Sequence, residues 1–280
     1  MTEWLPVTRG ESGAGVFRNA DGSSYAKVVG AAAVVDLAAE RDRVSWAHRQ
    51  GVPAPAVIDW RSTEDGGACL ITSTVSGVAA DRLSESALRA AWPAIVEAVR
   101  TLHALPAEGC PYRRDLDDML ARARAVVGKG AVNPEFLSDE DREVPAQALL
   151  DRVEREADLR RRQEAADRVV CHGDLCLPNI LVDPDRRTVE GFIDLGRLGL
   201  ADRHADLALL LANTADAVPG FAEEAAAGLV AGYPAQVDPE RLRFYLALDP
   251  LTWGVRAQES SQASSSDKCA RQKASSWPPG

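Results

Sequence analysis

In the segment Val169-Val-Cys-His-Gly-Asp-Leu-Cys-Leu-Pro-Asn-Ile-Leu-Val182, two short apolar runs enclose a polar loop that holds Asp174 and Asn179. A third run, Gly191-Phe-Ile, ends at Asp194, and Leu195 and Gly196 follow it. Short apolar and β-branched runs bounded by turn formers read as strands. Asp174 and Asn179 are therefore expected on a loop between two strands, with Asp194 at the end of a third. Three oxygen-bearing side chains come to one place in this way. Hard oxygen donors suit Mg²⁺, which takes one or two protein ligands and fills its remaining positions with water and phosphate oxygens.

The spacing matches the kinase pattern, in which a loop Asp stands five residues before a metal-binding Asn and a DFG-type Asp comes later. The run His172-Gly-Asp-Leu-Cys-Leu-Pro-Asn179 occupies the place of H-R-D-L-x-x-x-N, and Asp194-Leu-Gly196 that of D-F-G. An Asp and an Asn five apart are common by chance. Two such motifs in order, in matching strand context, are not. Gly173 replaces the Arg that in protein kinases commonly reads a phosphorylated activation loop, and no A-P-E follows Asp194, so control through an activation loop is not expected. His172 is read as a support of the loop rather than a base. Cys171 and Cys176 flank Asp174 without a His to activate them, which argues against a thiolate nucleophile.

Upstream, Gly10-Glu-Ser-Gly-Ala-Gly-Val-Phe17 reads as a glycine-rich turn whose N–H groups and Ser12 hydroxyl face phosphates. The run Tyr25-Ala-Lys-Val28 resembles a strand ending V-A-I-K, which gives Lys27 the α and β phosphates of a nucleotide. Strands are expected at Ser24–Val29, 56–60 and Ala68–Ser73, with a helix over 34–50 that carries Leu37, Val44 and Ala47 at helical spacing. Glu40 falls inside that apolar stripe and needs a cationic partner, for which Lys27 is the natural choice. A linker is expected near 74–77. Helix-rich sequence follows, with Pro93 opening a helix, surface helices over 113–167, a β-rich island at 169–194, and helix again from Asp206. Asp202 and Asp206 read as capping or buried structural carboxylates. The fold class is α+β: a two-lobed, protein-kinase-like fold with a small β-rich N-terminal lobe and a larger, mainly helical C-terminal lobe. The expected divisions are 1–77 for the nucleotide-binding lobe and hinge, 78–254 for the catalytic and substrate-binding lobe, and 255–280 for a disordered tail rich in Ser, Ala, Gln and Pro.

The chain as a whole resembles the aminoglycoside phosphotransferases, most closely the streptomycin 3''-phosphotransferases. The resemblance runs from Trp4 to Gly254 and rests on GESG, AERDRVSW, VVCHGDLCLPN, FIDLGRLG, ADRHADLALLLAN and FYLALDPLTWG. It implies transfer of the γ-phosphoryl group of ATP to the 3''-hydroxyl of streptomycin, and hence antibiotic resistance. By position it makes Asp174 the catalytic base and gives Asn179 and Asp194 the magnesium ion. Lys27, Glu40 and Ser12 would serve the nucleotide phosphates, and the backbone from Ser73 to Val75 the adenine. Streptomycin carries two guanidinium groups and an amine, so carboxylates should line its site; position matching selects Asp216 and Asp249, with Arg197 nearby. Pro250 stands where related enzymes present an acidic residue, and Thr252 where they end in an aromatic one.

Composition agrees and excludes other classes. The net charge of −10 lacks the basic footprint that nucleic acid requires and suits a cationic small molecule. Apolar runs such as 205–212 are far shorter than the roughly 20 residues that span a bilayer, and the N-terminus shows no signal peptide. A cytoplasmic location is expected on that basis, as is a monomer; the five cysteines show no paired spacing for disulfides or zinc and are expected reduced. Two alternatives stay open: a kinase of another aminoglycoside or of a cationic metabolite such as choline or homoserine, and a pseudokinase that binds its ligand without turnover.

Overall fold

The computed structural model describes residues 3–7 and 14–254. Ser12, most of the glycine-rich segment before Gly15, and the 255–280 tail lie outside them. The chain divides into two compact units, with the division between Val75 and Ser76.

The first unit is an antiparallel sheet with one helix. Its strands are β1 (Trp4–Pro6), β2 (Gly15–Asn19), β3 (Ser24–Val29), β4 (Val57–Ser62) and β5 (Ala68–Ser73), in the order β1-β2-β3-β5-β4. The helix α1 (Val34–Arg49) buries Leu37, Val44, Trp46 and Ala47. Leu37 packs with Ala68 and Leu70 of β5, so the apolar stripe of the helix closes one face of the sheet. Lys27 is registered between Val16 and Leu70 on β3, the middle strand, where pairing on both sides holds the backbone that carries it.

The second unit holds the remaining elements. Strand β6 (Val78–Ala79) precedes α2 (Glu85–His103), α3 (Leu116–Gly128), α4 (Ala146–Glu154) and α5 (Ala157–Asp167). Then come β7 (Arg168–Cys171), β8 (Ile180–Asp183), β9 (Thr188–Phe192), β10 (Gly199–Asp202), α6 (Arg203–Ala217), α7 (Ala222–Gly232) and α8 (Pro239–Leu248). The strands form two small antiparallel sheets, β10-β7 and β6-β8-β9. A core of Leu116, Leu120, Leu149, Ala208, Phe244, Tyr245 and Leu248 joins α3, α4, α6 and α8 beneath them. This is the α+β class expected, sheet-rich in the first unit and mainly helical in the second. Among the described residues no helix is long and apolar enough to cross a membrane.

Two local expectations are corrected. Pro93 lies inside α2 rather than opening it; Ser84 caps the helix by accepting from Ala87 N. A mid-helix proline costs about 3 kcal/mol, but Leu88, Trp92, Ile95, Val96, Val99 and Leu102 bury one continuous face, and each is worth about 1.5–3 kcal/mol. The third strand of the island ends at Phe192, two residues before Asp194. Strand β10, which the sequence reading did not anticipate, pairs Gly199 with Cys171 and anchors the start of the Asp174 loop.

The first turn of α3 rests on a buried carboxylate, because Leu116 N donates to Glu164 at 3.0 Å and Asp115 caps the same turn. Burial pushes the Glu164 carboxyl up to about 7, against the opposing Leu116 hydrogen bond. A raised folded-state pKa stabilises most at low pH, and that contribution is lost as pH rises through about 7. Glu164→Gln keeps an acceptor for Leu116 N and removes the ionisation. Its melting temperature is expected to gain on wild type between pH 6 and pH 8 in parallel thermal melts. A difference between the two proteins that is the same at both pH values would refute this.

Candidate active site

The Asp174 loop is held from beneath by α6. Asp206, fully buried in the first turn of that helix, accepts from His172 N at 2.6 Å and from Gly173 N at 2.8 Å. Its Oδ2 also accepts from His103 Nε2 at 3.1 Å, and His103 Nδ1 in turn accepts from Tyr233 Oη at 2.6 Å. Burial acts to raise the Asp206 pKa, but the His103 and backbone hydrogen bonds outweigh it and the carboxyl sits below its usual value. The loop is therefore clamped by an anion with several donors, the arrangement in which a buried charge is tolerated. Further along α6, Asn213 Oδ1 accepts from Leu177 N at 2.8 Å.

His172 serves the same support. Asp174 N donates to its Nδ1 at 3.2 Å, so Nε2 carries the proton and donates to Ile193 O at 3.0 Å. That bond ties the loop to the strand leading into Asp194. Burial pulls the His172 pKa down, which keeps the ring neutral.

Gly173 has φ of 82°, and a Cβ there would lie 2.2 Å from the Arg197 carbonyl oxygen and 2.6 Å from Arg114 Cδ. The position that carries Arg in H-R-D thus has no room for any side chain. Asp194 also adopts a left-handed conformation, φ 59° and ψ 49°, a region in which Asp is several-fold enriched over most residues. It opens the short 3₁₀ turn Leu195–Arg197.

Asp174 and Asn179 meet directly. Asn179 Nδ2 donates to Asp174 O at 2.9 Å and to Asp174 Oδ2 at 3.3 Å. Burial, then the neighbouring Asp194 charge, push the Asp174 carboxyl up to about 7, with Arg197 acting against them. A carboxylate poised near neutrality inside a cluster of acids is the usual state of a general base. Asn179 Nδ2 is engaged by Asp174, Ile193 N donates to Asn179 O at 3.0 Å, and the Asp194 charge acts on Asp174, so an amide oxygen and a carboxylate are brought to one neighbourhood. Two hard oxygens from one amide and one carboxylate fit Mg²⁺. Burial also pushes the Cys176 thiol up to about 12 and the Cys171 thiol far above its usual value, so neither is a thiolate near neutral pH.

Beyond the motif, Arg197, Asp249, Thr252 and Trp253 lie together. Asp249 Oδ1 is 3.3 Å from Arg114 Nη2 and 3.9 Å from Arg197 Nη1, while its Oδ2 accepts from Trp253 Nε1 at 3.0 Å. The Arg197 guanidinium stacks over the Trp253 ring at 3.3 Å and reaches Thr252 Oγ1 at 3.4 Å. Burial and then Arg114 lower the Arg197 pKa, with Asp249 opposing. Arg114 and Trp253 were not anticipated; Arg114 falls in a stretch read as surface helix, and only the DPLTWG match pointed toward Trp253. Asp216 is exposed one helical turn beyond Asn213, near the end of α6.

In the first unit, Lys27 Nζ donates to Glu40 Oε2 at 2.7 Å, with both side chains about four-fifths buried or more. The cationic partner that Glu40 required is therefore the expected one. Ser73 and Val75 close that unit at its C-terminal end. Ser73 N donates to Ala56 O and Ser73 Oγ accepts from Ala56 N, both at 2.9 Å, so the segment is pinned beside β4.

The chain matches the model of the phosphotransferase enzyme family over residues 3–245. It is 58% identical to streptomycin 3''-kinase of Streptomyces griseus, over 90% of this chain and 93% of that protein. It is 41% identical to an aminoglycoside 3'-phosphotransferase of Streptomyces fradiae, over 88% and 94% of the two chains. Among solved structures, aminoglycoside phosphotransferase APH(3'')-Id of Streptomyces rimosus in complex with ADP and streptomycin superposes with a TM-score of 0.84 at 54% identity, covering 90% of this chain and 93% of that one.

Proposed function

Because the chain belongs to the phosphotransferase enzyme family, we propose that it transfers the γ-phosphoryl group of ATP to the 3''-hydroxyl of streptomycin and so confers resistance to that antibiotic. The observation that carries the reaction is the Asp174–Asn179 pair beside Asp194, with Asp174 held near neutrality. The acceptor rests on the 58% identity to a streptomycin 3''-kinase and on the likeness to a phosphotransferase solved with ADP and streptomycin.

In this reading Asp174 Oδ accepts the proton of the acceptor hydroxyl and aims its oxygen in line with the γ-phosphorus. The backbone clamp by Asp206 and the His172 bond to Ile193 fix Asp174, so little reorganisation is required when the hydroxyl arrives. Asn179 and Asp194 would hold Mg²⁺, which neutralises phosphate charge when bound. Residues 1–77 act as the nucleotide lobe and hinge: Lys27, oriented by Glu40, binds the α and β phosphates, Ser12 contacts phosphate, and the backbone of Ser73 to Val75 meets the adenine. Residues 78–254 carry the base, the metal ligands and the residues placed at the substrate site: the carboxylates Asp216 and Asp249, with Arg197 beside Asp249.

Incubation with streptomycin, ATP and Mg²⁺ is expected to give a product heavier by one phosphoryl group, with NMR placing it on the 3''-oxygen. Labelled ATP that reaches a different acceptor in a panel of aminoglycosides and cationic metabolites, and not streptomycin, would overturn the substrate. Lys27→Ala removes a charge-assisted bond worth about 1.5–3 kcal/mol, so the KM for ATP is expected to rise roughly 10- to 100-fold. The KM for streptomycin should change little, which steady-state kinetics with each substrate varied will show.

A further inference from the structure

The Arg197 guanidinium occupies a position built for a planar cation yet is held there weakly. The Trp253 ring forms the floor of that position, and its orientation is fixed by the Nε1 bond to Asp249 Oδ2 at 3.0 Å. The edge of Phe136 braces the indole at a centroid distance of 6.1 Å. Asp249 Oδ1 and Thr252 Oγ1 form one wall, and Thr252 Oγ1 is itself set by donating to Asp249 O at 2.8 Å. The polar contacts of Arg197 to that wall are 3.9 Å and 3.4 Å, longer than the 2.7–2.9 Å of a good charge-assisted bond. Elsewhere in this unit a buried arginine closes onto its carboxylates more tightly: Arg241 Nε reaches Asp202 Oδ2 at 3.0 Å, and Arg241 Nη1 reaches Asp167 Oδ2 at 2.5 Å.

The charge balance points the same way. Asp249 is the one carboxylate that Arg114 and Arg197 both contact, with Asp174 acting on both from further off, and Arg122 Nε bonds to Thr252 O at 2.8 Å nearby. A substrate cation cannot be added to that set without repulsion unless one resident cation leaves. Arg197 stands furthest from that carboxylate, at 3.9 Å against 3.3 Å for Arg114, and it is the one stacked on the indole, while Arg122 is bonded to the Thr252 carbonyl instead. Stacking on an indole is also selective in shape, because a flat guanidinium lies on the ring face more fully than a tetrahedral ammonium does.

We propose that the Trp253 face, Asp249 Oδ1 and Thr252 Oγ1 form a guanidinium seat, that Arg197 fills this seat in the free protein as an internal stand-in, and that a guanidinium of the substrate displaces it. This deepens the streptomycin reading and rests on it for the identity of the incoming group. Trp253 then sets the preference for guanidinium-bearing acceptors over those that carry only amines. Because the Arg197 charge acts on Asp174, the seat lies within electrostatic reach of the base.

The test is calorimetric titration of the full chain with streptidine, the bis-guanidino cyclitol portion of streptomycin, and with 2-deoxystreptamine as its amine counterpart. Wild type should bind streptidine. Arg197→Met removes the stand-in and should tighten streptidine binding roughly 3- to 10-fold. Trp253→Leu should weaken it about 10-fold and leave 2-deoxystreptamine unchanged, whereas Trp253→Phe keeps a ring and should stay within about 3-fold of wild type. If Trp253→Leu does not fold, the Arg197→Met and Trp253→Phe measurements decide. Streptidine affinity that is unchanged or weaker in Arg197→Met, or absent from all the proteins, overturns the proposal. Phosphate transfer is measured separately: the binding pattern without transfer to streptomycin sinks the activity and leaves the seat, while transfer without the pattern sinks the seat and leaves the activity.

Discussion

Asp174→Asn is expected to lower kcat for streptomycin by about 10²–10⁴-fold, the usual contribution of a positioned general base, while the KM for ATP stays within about 3-fold. Asparagine preserves the size of the side chain and an oxygen for Asn179 Nδ2, so the loop geometry set by Asp206 and His172 is retained. What is lost is the capacity to take a proton. Burial and the Asp194 charge bring Asp174 to about 7, and a base works only when deprotonated. A cation held by Asp194 would offset the charge that raises Asp174, so the acidic limb of wild-type kcat/KM, measured with Mg²⁺, should lie below pH 7, where Asp174 takes up its proton. The asparagine variant should lack the limb. Retention of more than one-tenth of wild-type kcat in stopped assays would remove Asp174 from the role of base.

Gly173→Ala is the second large effect, and it acts through the backbone. The residue sits at φ 82°, where an L side chain costs roughly 1–2 kcal/mol. The new methyl would also meet the Arg197 carbonyl oxygen at 2.2 Å and the carbonyl carbon at 2.8 Å, both backbone atoms with little room to move. Strain at such a position and overpacking each cost about 1–3 kcal/mol, so a total loss of about 2–4 kcal/mol is expected in urea melts. Turnover should drop at least tenfold, because relief of the clash must shift either the Asp174 loop or the turn that follows Asp194. A variant within about 0.5 kcal/mol of wild type with full turnover would show that the two segments separate at little cost. The same geometry explains why the Arg of the protein-kinase loop has no counterpart here: the space where its side chain would begin is filled by the chain at Arg197.

Most of the reaction centre was legible from residue types and short spacings. Asp174 and Asn179 are five residues apart and their contact lies within one loop, so local chain geometry brings them together whatever the rest of the unit does. Glu40 could be paired with Lys27 because a carboxylate in the apolar stripe of α1 has to find a cation, and the middle strand of the sheet carries one. Strands β3 and β5 were legible in full because both are bounded by Gly, Asp or Ser turn formers. Pro93 misled because local propensity argues for a helix start, and only the buried face of α2 shows that packing overrides it.

The substrate end was less legible. Arg114 and Asp249 are separated by 135 positions, and Arg197 and Thr252 by 55. No periodicity connects such pairs, since their meeting depends on how α3, α8 and the segment after Asp194 pack. Asp249 was matched by position as a ligand of the substrate, but only the structure reveals that two arginines and an indole already surround it. Asp216, matched in the same way, is exposed near the end of α6.

The sequence by itself determined the α+β class, the Asp174, Asn179 and Asp194 set, and the Lys27–Glu40 pair, because these follow from apolar periodicity, from short spacings, and from the cost of burying an unpaired charge. Only the tertiary structure decided that Asp206 and His103 clamp the loop from beneath, that Gly173 is excluded from bearing a side chain, and that Arg197 rests on Trp253. Each of these is a contact between segments at least about 24 residues apart in the chain, and its existence depends on the packing of the whole unit rather than on any local preference.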